Sequence, residues 1–351
     1  MTSYERVMAA CAFKRPDRIP RFDSFWNFPD TWRAALGAEE GLTDVHILIP
    51  QEETFPTRAR RIKEENNWIY EVEPWGRTIR RRPDGYFVET LEVPIPSDAD
   101  VDSVRFDSPI LESRYLLDQP DEASAGRKLA EVKARHCPFV KTGGPYLRST
   151  FVRGEEQFLM DLAADPPLAR TIAEKVGAHL STVGVEALRR WSLQGTGVWI
   201  YDDMACNQGP MFRAKTFEQV LLPVYRRMIR AYRDAGAKYV LLHSDGDIRP
   251  LLDMLIEAGI DGINPLERRA HMHPMELRRR YPRLILTGGM DNTDTLLHGP
   301  IVRIEAEARE IIDLGRDGGV VIGTHSVSPE IPLEHFMAYH QTCMTYGQLS
   351  R

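Results

Sequence analysis

The sequence predicts an α/β protein built on a distorted (β/α)8 barrel with an antiparallel β insertion, on three observations. From Pro138 onward strand-like runs alternate with helical ones, which implies parallel strands joined by βαβ crossovers. Six such strands, with two more before residue 54, make eight. A doubly wound sheet would carry a glycine-rich phosphate turn after its first strand, and the sequence has none there.

Taken in order, Ser3–Phe13 reads as an amphipathic helix with Val7, Met8 and Cys11 on one side, broken by Lys14–Asp17, because the residue before a proline is pushed away from helix. Arg18–Asp23 reads as a strand ending in a carboxylate, and Thr43–Pro50 as a second. Trp68–Val72, Arg77–Arg82 and Tyr86–Val93 are strand-like and separated by turn signals, including Pro83-Asp84-Gly85. They predict a β-rich insertion at about 54–113 in an otherwise single barrel domain spanning 1–351. Glu112–His136 reads as helix. The expected strands that follow are Phe139–Thr142, Val198–Tyr201, Tyr239–His243, Gly262–Asn264, Leu284–Thr287 and Gly319–Gly323. Between them lie expected helices at Pro166–Arg190, Thr216–Ala235, Ile248–Ala258, Pro274–Arg280, Ile301–Leu314 and Leu333–Tyr346.

Hydrophobic residues at 42% and charged ones at 27% fit a globular chain with a large core. A net charge of −6 with scattered Lys and Arg argues against nucleic acid as a partner. The one dense basic run, Arg77–Arg82, reads as a solvated strand beside a turn or as a binding patch, the strand being the simpler. Four separated cysteines, no apolar core of signal-peptide length near the N-terminus and no membrane-length apolar run lead us to expect a reduced, cytoplasmic protein that does not enter membranes.

Barrel enzymes keep their chemistry at the C-terminal strand ends. Those ends supply Asp23, Thr142-Gly143-Gly144, Asp202-Asp203, His243-Ser244-Asp245, Asn264, Gly288–Asn292 and His325-Ser326. A single Asp after a strand is usually a cap; recurrence from strand to strand is what points to function. His243 and Asp245, two apart, can face one side and converge on a metal or substrate; alternatively His243 holds the loop while Asp245 or Asp247 caps the next helix. His325 is either a loop hydrogen-bonder or, across the mouth, a third ligand. Two His and a carboxylate suit Zn²⁺ or another divalent ion. Asp202 and Asp203 are candidates for metal binding, substrate binding or general acid–base work, with one of them merely ending its strand. Cys206 reads as structural, and His271 and His273 as an exposed loop.

Several blocks resemble, in order, the uroporphyrinogen decarboxylase superfamily: ERVMAACAFKRPDRIPRF, PFVKTGGPYLRSTFVRGEEQFLMDLAADP, GVWIYDDMACNQGPMFRAKTFEQVLLPVYRRMI, the HSDGD and NPLE segments, GGMDN and THSVSPEIPLEH. They cover nearly the whole chain apart from about Thr54–Ser113. The resemblance implies the same barrel. True decarboxylases of the superfamily act without a cofactor, using an arginine-bearing loop and an Asp; here the loop stretch is Phe22–Pro29 without arginine, the Asp position falls near Val45 with His46 beside it, and the family's Tyr falls on Thr150. Losing cations that would clamp eight carboxylates speaks against that substrate. The resemblance is nearer the corrinoid-linked methyltransferases, similar to methylcobamide:coenzyme M methyltransferase, whose zinc sits on His-x-Cys and a distant Cys. His243 matches the first ligand, Asp245 stands in place of the first Cys and His325 near the second.

The expectation is therefore methyl or one-carbon transfer from a small substrate to a corrinoid carried by a partner protein. In it His243, Asp245 and His325 bind a divalent metal, Asp203 or Asp202 handles protons beside His243, Asp291 and Asn292 orient substrate with Asp23, and Trp26, with Phe25 and Phe28, lines an apolar wall. Metal-independent decarboxylation of a smaller acid is the alternative, and a barrel that binds a corrinoid or tetrapyrrole without turnover is the third. A homodimer is the expected assembly.

Overall fold

The computed structural model describes residues 1–25, 30–37, 42–83, 85 and 87–349. In chain order its strands are β1 (Val45–Leu48), β2 (Arg60–Glu65), β3 (Trp68–Val72), β4 (Thr78–Arg81), β5 (Val88–Glu92), β6 (Cys137–Gly143), β7 (Gly197–Tyr201), the short pair β8 (Ala205–Cys206) and β9 (Gly209–Pro210), β10 (Tyr239–His243), β11 (Gly262–Asn264), β12 (Ile285–Met290) and β13 (Val320–Thr324). Seven of them form one curled parallel sheet in the order β1-β6-β7-β10-β11-β12-β13. That is the βαβ plan expected from the alternating pattern.

The expected strand at Arg18–Asp23 is not a regular strand. Residues 20–25 run between the two sheet edges and bond to both: Phe22 N–H donates to Ile322 O at 2.9 Å, Ser24 N–H to Thr324 O at 3.3 Å, and Asp44 N–H to Arg21 O at 2.9 Å. Pro20 has no N–H to contribute, and the Arg21 N–H goes to the Asp44 carboxylate at 2.9 Å instead of a strand carbonyl. The ladder breaks into isolated bridges, Arg21 to Ile322 and Phe25 to Val327. Among the described residues the sheet thus has seven strands where eight were expected and is not a closed barrel; side chains tie the segment across this seam. Asp44 takes Arg6 and Arg18 at 2.7 Å each, and Asp23 takes Arg21 at 2.6 Å. Gly323 permits the close approach, since a Cβ there would run into Phe22 O.

Strand alternation sorts the concave face into two layers. Phe22, Val45, Phe139, Trp199, Leu241, Ile285 and Val321 form a buried apolar cluster, joined by Val7, Met8 and Cys11 of the N-terminal helix Ser3–Cys11. Two residues further along β6, β7, β10 and β12 the layer turns polar, with Lys141, Tyr201, His243 and Thr287, while β1 and β13 carry Ile47 and Gly323 there. The opposite face packs on helices, including Pro166–Arg190, whose Asp165 caps Leu168 N–H at 3.2 Å. Burying that second, larger cluster supplies most of the hydrophobic drive.

β2 to β5 form the antiparallel insertion. It packs through Trp75, whose ring lies 5.3 Å from Phe151 on the helix Pro145–Arg153. The expected helix at Glu112–His136 splits into a 3-10 turn, Glu112–Tyr115, and a helix, Glu122–Arg135. Pro120 interrupts the run and Asp121 restarts it, accepting Ser124 N–H at 2.7 Å. Thr216–Ala235 is likewise a π-turn at Phe217–Leu221 followed by the helix Leu222–Asp234, the break falling just before Pro223. No helix among the described residues is long and apolar enough to cross a membrane.

Candidate active site

His243 ends β10, where its ring is held on both sides by neighbours in register. Tyr201 of β7 stacks on it, with centroids 4.3 Å apart and planes at 14°. Asn264 of β11 meets its Nδ1 at 2.6 Å through Oδ1. Asn264 Nδ2 donates to Thr287 O at 3.2 Å. That bond turns the amide oxygen toward the imidazole, so Nδ1 carries the proton and the Nε2 lone pair faces the mouth. Burial pushes the imidazole down to about 4, against the pull of Asp203, so the ring is neutral at pH 7.

Nε2 of His243 lies 3.5 Å from Asp245 Oδ1 and 3.7 Å from Asp203 Oδ1, and His325 Nε2 lies 3.5 Å from the same Asp245 oxygen. The donor atoms of His243, Asp245 and His325 all fall within 4.8 Å of one another. Asp245 Oδ1 is buried, and no hydrogen-bond donor among the described residues reaches it. Burial, with the Asp203 and Glu267 carboxylates nearby, pushes Asp245 up to about 7. Burial also pushes His325 down. The loop bearing Asp245 is fixed by its backbone: Asp245 N–H donates to Asp203 Oδ1 at 3.1 Å, and Gly246 N–H to Glu267 Oε2 at 2.8 Å. Asp247 instead steadies the next helix, accepting Arg249 N–H at 3.1 Å.

The adjacent pair separates by role. Asp203 is half-exposed at the mouth. Asp202 is wholly buried and accepts Tyr146 N–H at 3.1 Å, Leu147 N–H at 2.6 Å and Tyr225 O–H at 2.6 Å, which ties down the start of the helix Pro145–Arg153. Gly144 makes room for it, since a Cβ there would collide with Asp202. Asp23 is also fully engaged, by Arg21, by Thr324 N–H at 3.2 Å and by Tyr339 O–H at 2.9 Å. Asp291 Oδ1 accepts Thr293 N–H at 2.7 Å within its own turn, and Asn292 Nδ2 donates to Ser326 O at 3.3 Å, tying its loop to that of His325. Trp26 and Phe28 lie outside the described residues. Cys206 is exposed, His271 exposed and His273 half-buried, and none joins the cluster.

Three residues of this site escaped the reading of the sequence: Lys141 and Tyr201, and Asn264 in its role as the imidazole's partner. A signal for Lys141 was there, since a Lys alternating with Phe139 in an otherwise apolar strand must face inward with it. On the expectation of a divalent ion at this cluster, Asn264→Ala should weaken its affinity about 10–100-fold, because it removes the group that fixes the His243 tautomer. Zinc titration with a competing chelator checks this, and an unchanged affinity would contradict the assigned role.

Residues 92–346 match the family model described as uroporphyrinogen decarboxylase (URO-D), a range that begins at the last residue of β5. The chain belongs to the URO-D family. Among solved structures, this URO-D family chain is similar to a methyltransferase from Methanosarcina mazei, with a TM-score of 0.67 and 16% identity over 99% of each chain. That likeness establishes a shared fold. It also matches a Bacillus subtilis mannanase, BCman, at a TM-score of 0.47 and 13% identity, covering 96% of this chain and 89% of the other. No curated protein matches it in sequence.

Proposed function

We propose that this URO-D family member is an enzyme of methyl or one-carbon transfer, passing the group from a small substrate to a corrinoid carried by a partner protein. In this reading His243, Asp245 and His325 hold Zn²⁺ or another divalent ion. The observation that carries it is the buried Asp245 oxygen without a donor, 3.5 Å from an imidazole nitrogen on either side. Metal–ligand bonds of about 2.1 Å at tetrahedral angles separate donor atoms by ~3.4 Å. Two of the three donor separations match that spacing and the third, between the imidazoles, falls within 4.8 Å, so the set suits such an ion with N and O ligands in place of thiolates. The methyltransferase from Methanosarcina mazei supports the same direction through its fold.

When bound, the ion would supply Lewis acidity toward an oxygen or nitrogen leaving group. The chain's own residues do the rest. Asn264 presents the His243 lone pair. Asp203, half-exposed 3.7 Å from that nitrogen, is placed to take or return a proton. Asp202 is spent on a helix start and Asp23 on the seam, so neither carries the chemistry. Asp291 and Asn292 shape the rim beside His325.

The experiment is conversion of cob(I)alamin to methylcobalamin by the zinc-loaded protein, followed spectrally with methoxylated aromatic, methylamine and methyl-thioether donors. Methylation with one of these classes is expected. Absence of methylation from all of them, together with metal-independent CO₂ release from a small acid, would overturn the reading in favour of decarboxylation.

A further inference from the structure

A cavity of about 370 Å³ opens beside the cluster, walled by Phe22, Phe25, Ile47 and Ile49 and bounded by Lys141 and Tyr201. Tyr201 is the shared wall, since its ring also stacks on His243 at 4.3 Å. Lys141 is the single Lys or Arg among the described residues lining this space. Its ammonium lies 4.8 Å from the centre of the Tyr201 ring, with no carboxylate among the described residues at salt-bridge distance.

Of the nearby acidic groups, Glu52 and Asp23 are committed elsewhere, while Glu53 and Asp203 act on Lys141 from beyond salt-bridge distance. Glu52 pairs with Arg148 at 2.7 Å and also accepts the Gly143 N–H, while Asp23 is neutralised by Arg21 at 2.6 Å. A largely buried cation without a counter-ion is costly, and burial pushes the Lys141 ammonium down from its usual range. An arriving anion offsets that cost. Phe22, Phe25, Val45, Ile47, Ile49 and Tyr201 give the cavity an apolar and aromatic side that suits a flat hydrocarbon body, while Asp23, Ser24, Thr43 and His46 make up the polar part of its lining. One positive charge cannot answer a polycarboxylate.

We propose that this cavity is the acid pocket of the substrate site: Lys141 binds the carboxylate of a small monoanionic aromatic acid, and the ring of that acid lies along Tyr201 toward His243. The assignment rests on the active site proposed above but makes no use of the metal or the corrinoid. Lys141 is thereby a specificity-determining residue rather than a participant in group transfer.

Calorimetry on the metal-free protein tests it, with 4-methoxybenzoate and its neutral counterpart 4-methoxybenzamide as probes. The wild type should bind the acid about tenfold or more tighter than the amide. Lys141→Met should abolish that preference while leaving amide binding in place, which also shows the variant to be folded. Lys141→Arg should keep part of the preference, and decides the matter if Lys141→Met proves unfolded. Equal binding of acid and amide by the wild type, binding of neither, or an undiminished preference in Lys141→Met would overturn the proposal. Methyl transfer can fail with this binding intact, or succeed without it, so the two ideas fall separately.

Discussion

His243→Ala is expected to emerge from purification without the roughly one divalent ion per chain that the wild type should carry, and to lose methyl transfer on the order of a thousandfold. The loss is chemical, not structural. The ring sits in the polar layer above an apolar cluster that does not include it, and removing it frees Asn264 and Tyr201 without opening the main core. Elemental analysis alongside the cobalamin assay measures both effects, with circular dichroism confirming the fold. Full metal content in the variant would show that the imidazole is no ligand. Asp245→Asn separates charge from shape: it should keep the loop, whose hydrogen bonds run through backbone N–H groups, while weakening the ion's hold.

Asp44→Ala should be the most damaging substitution for stability. The carboxylate is buried at the seam between the sheet edges, where it accepts Arg6 at 2.7 Å, Arg18 at 2.7 Å and the Arg21 N–H at 2.9 Å. Deleting it strands partly buried guanidinium groups and a backbone donor together, a loss of about 3–5 kcal/mol. Urea unfolding of the wild type and the variant gives the number; a difference below about 1 kcal/mol would mean that the seam holds without it. Asp44→Asn, which can still accept the Arg21 N–H, should lose less.

How far the molecule could be read from its sequence depended on whether the signal was local. β10 was legible to the residue, because the apolar run Tyr239–Leu242 breaks at His243 and a turn follows. The helix Pro166–Arg190 was equally plain, with Asp165 and two prolines marking its start. β2 was missed because Arg60–Glu65 is exposed along its whole length and shows no alternation of apolar and polar residues; only pairing with β3 makes it a strand. The seam at residues 20–25 reads as a strand by composition, and nothing local reveals that Asp44 replaces a ladder bond there. At the site, the grouping of His243, Asp245 and His325 followed from their positions at strand ends. The division between Asp202 and Asp203 did not, since it depends on a helix start that comes from more than fifty residues earlier in the chain. Lys141 was legible and passed over, since its alternation with Phe139 turns it inward.

The two storeys on the concave side of the sheet have a consequence for how such a protein changes its trade. The lower one, from Phe22 round to Val321, binds the strands into a wall whatever stands above it. The upper one takes its groups singly, Lys141, Tyr201, His243 and Asn264 each from a different strand. Exchanging Lys141, His243 or Asn264, none of which belongs to the lower cluster, leaves the masonry beneath in place, so new chemistry can be tried on an old foundation one side chain at a time.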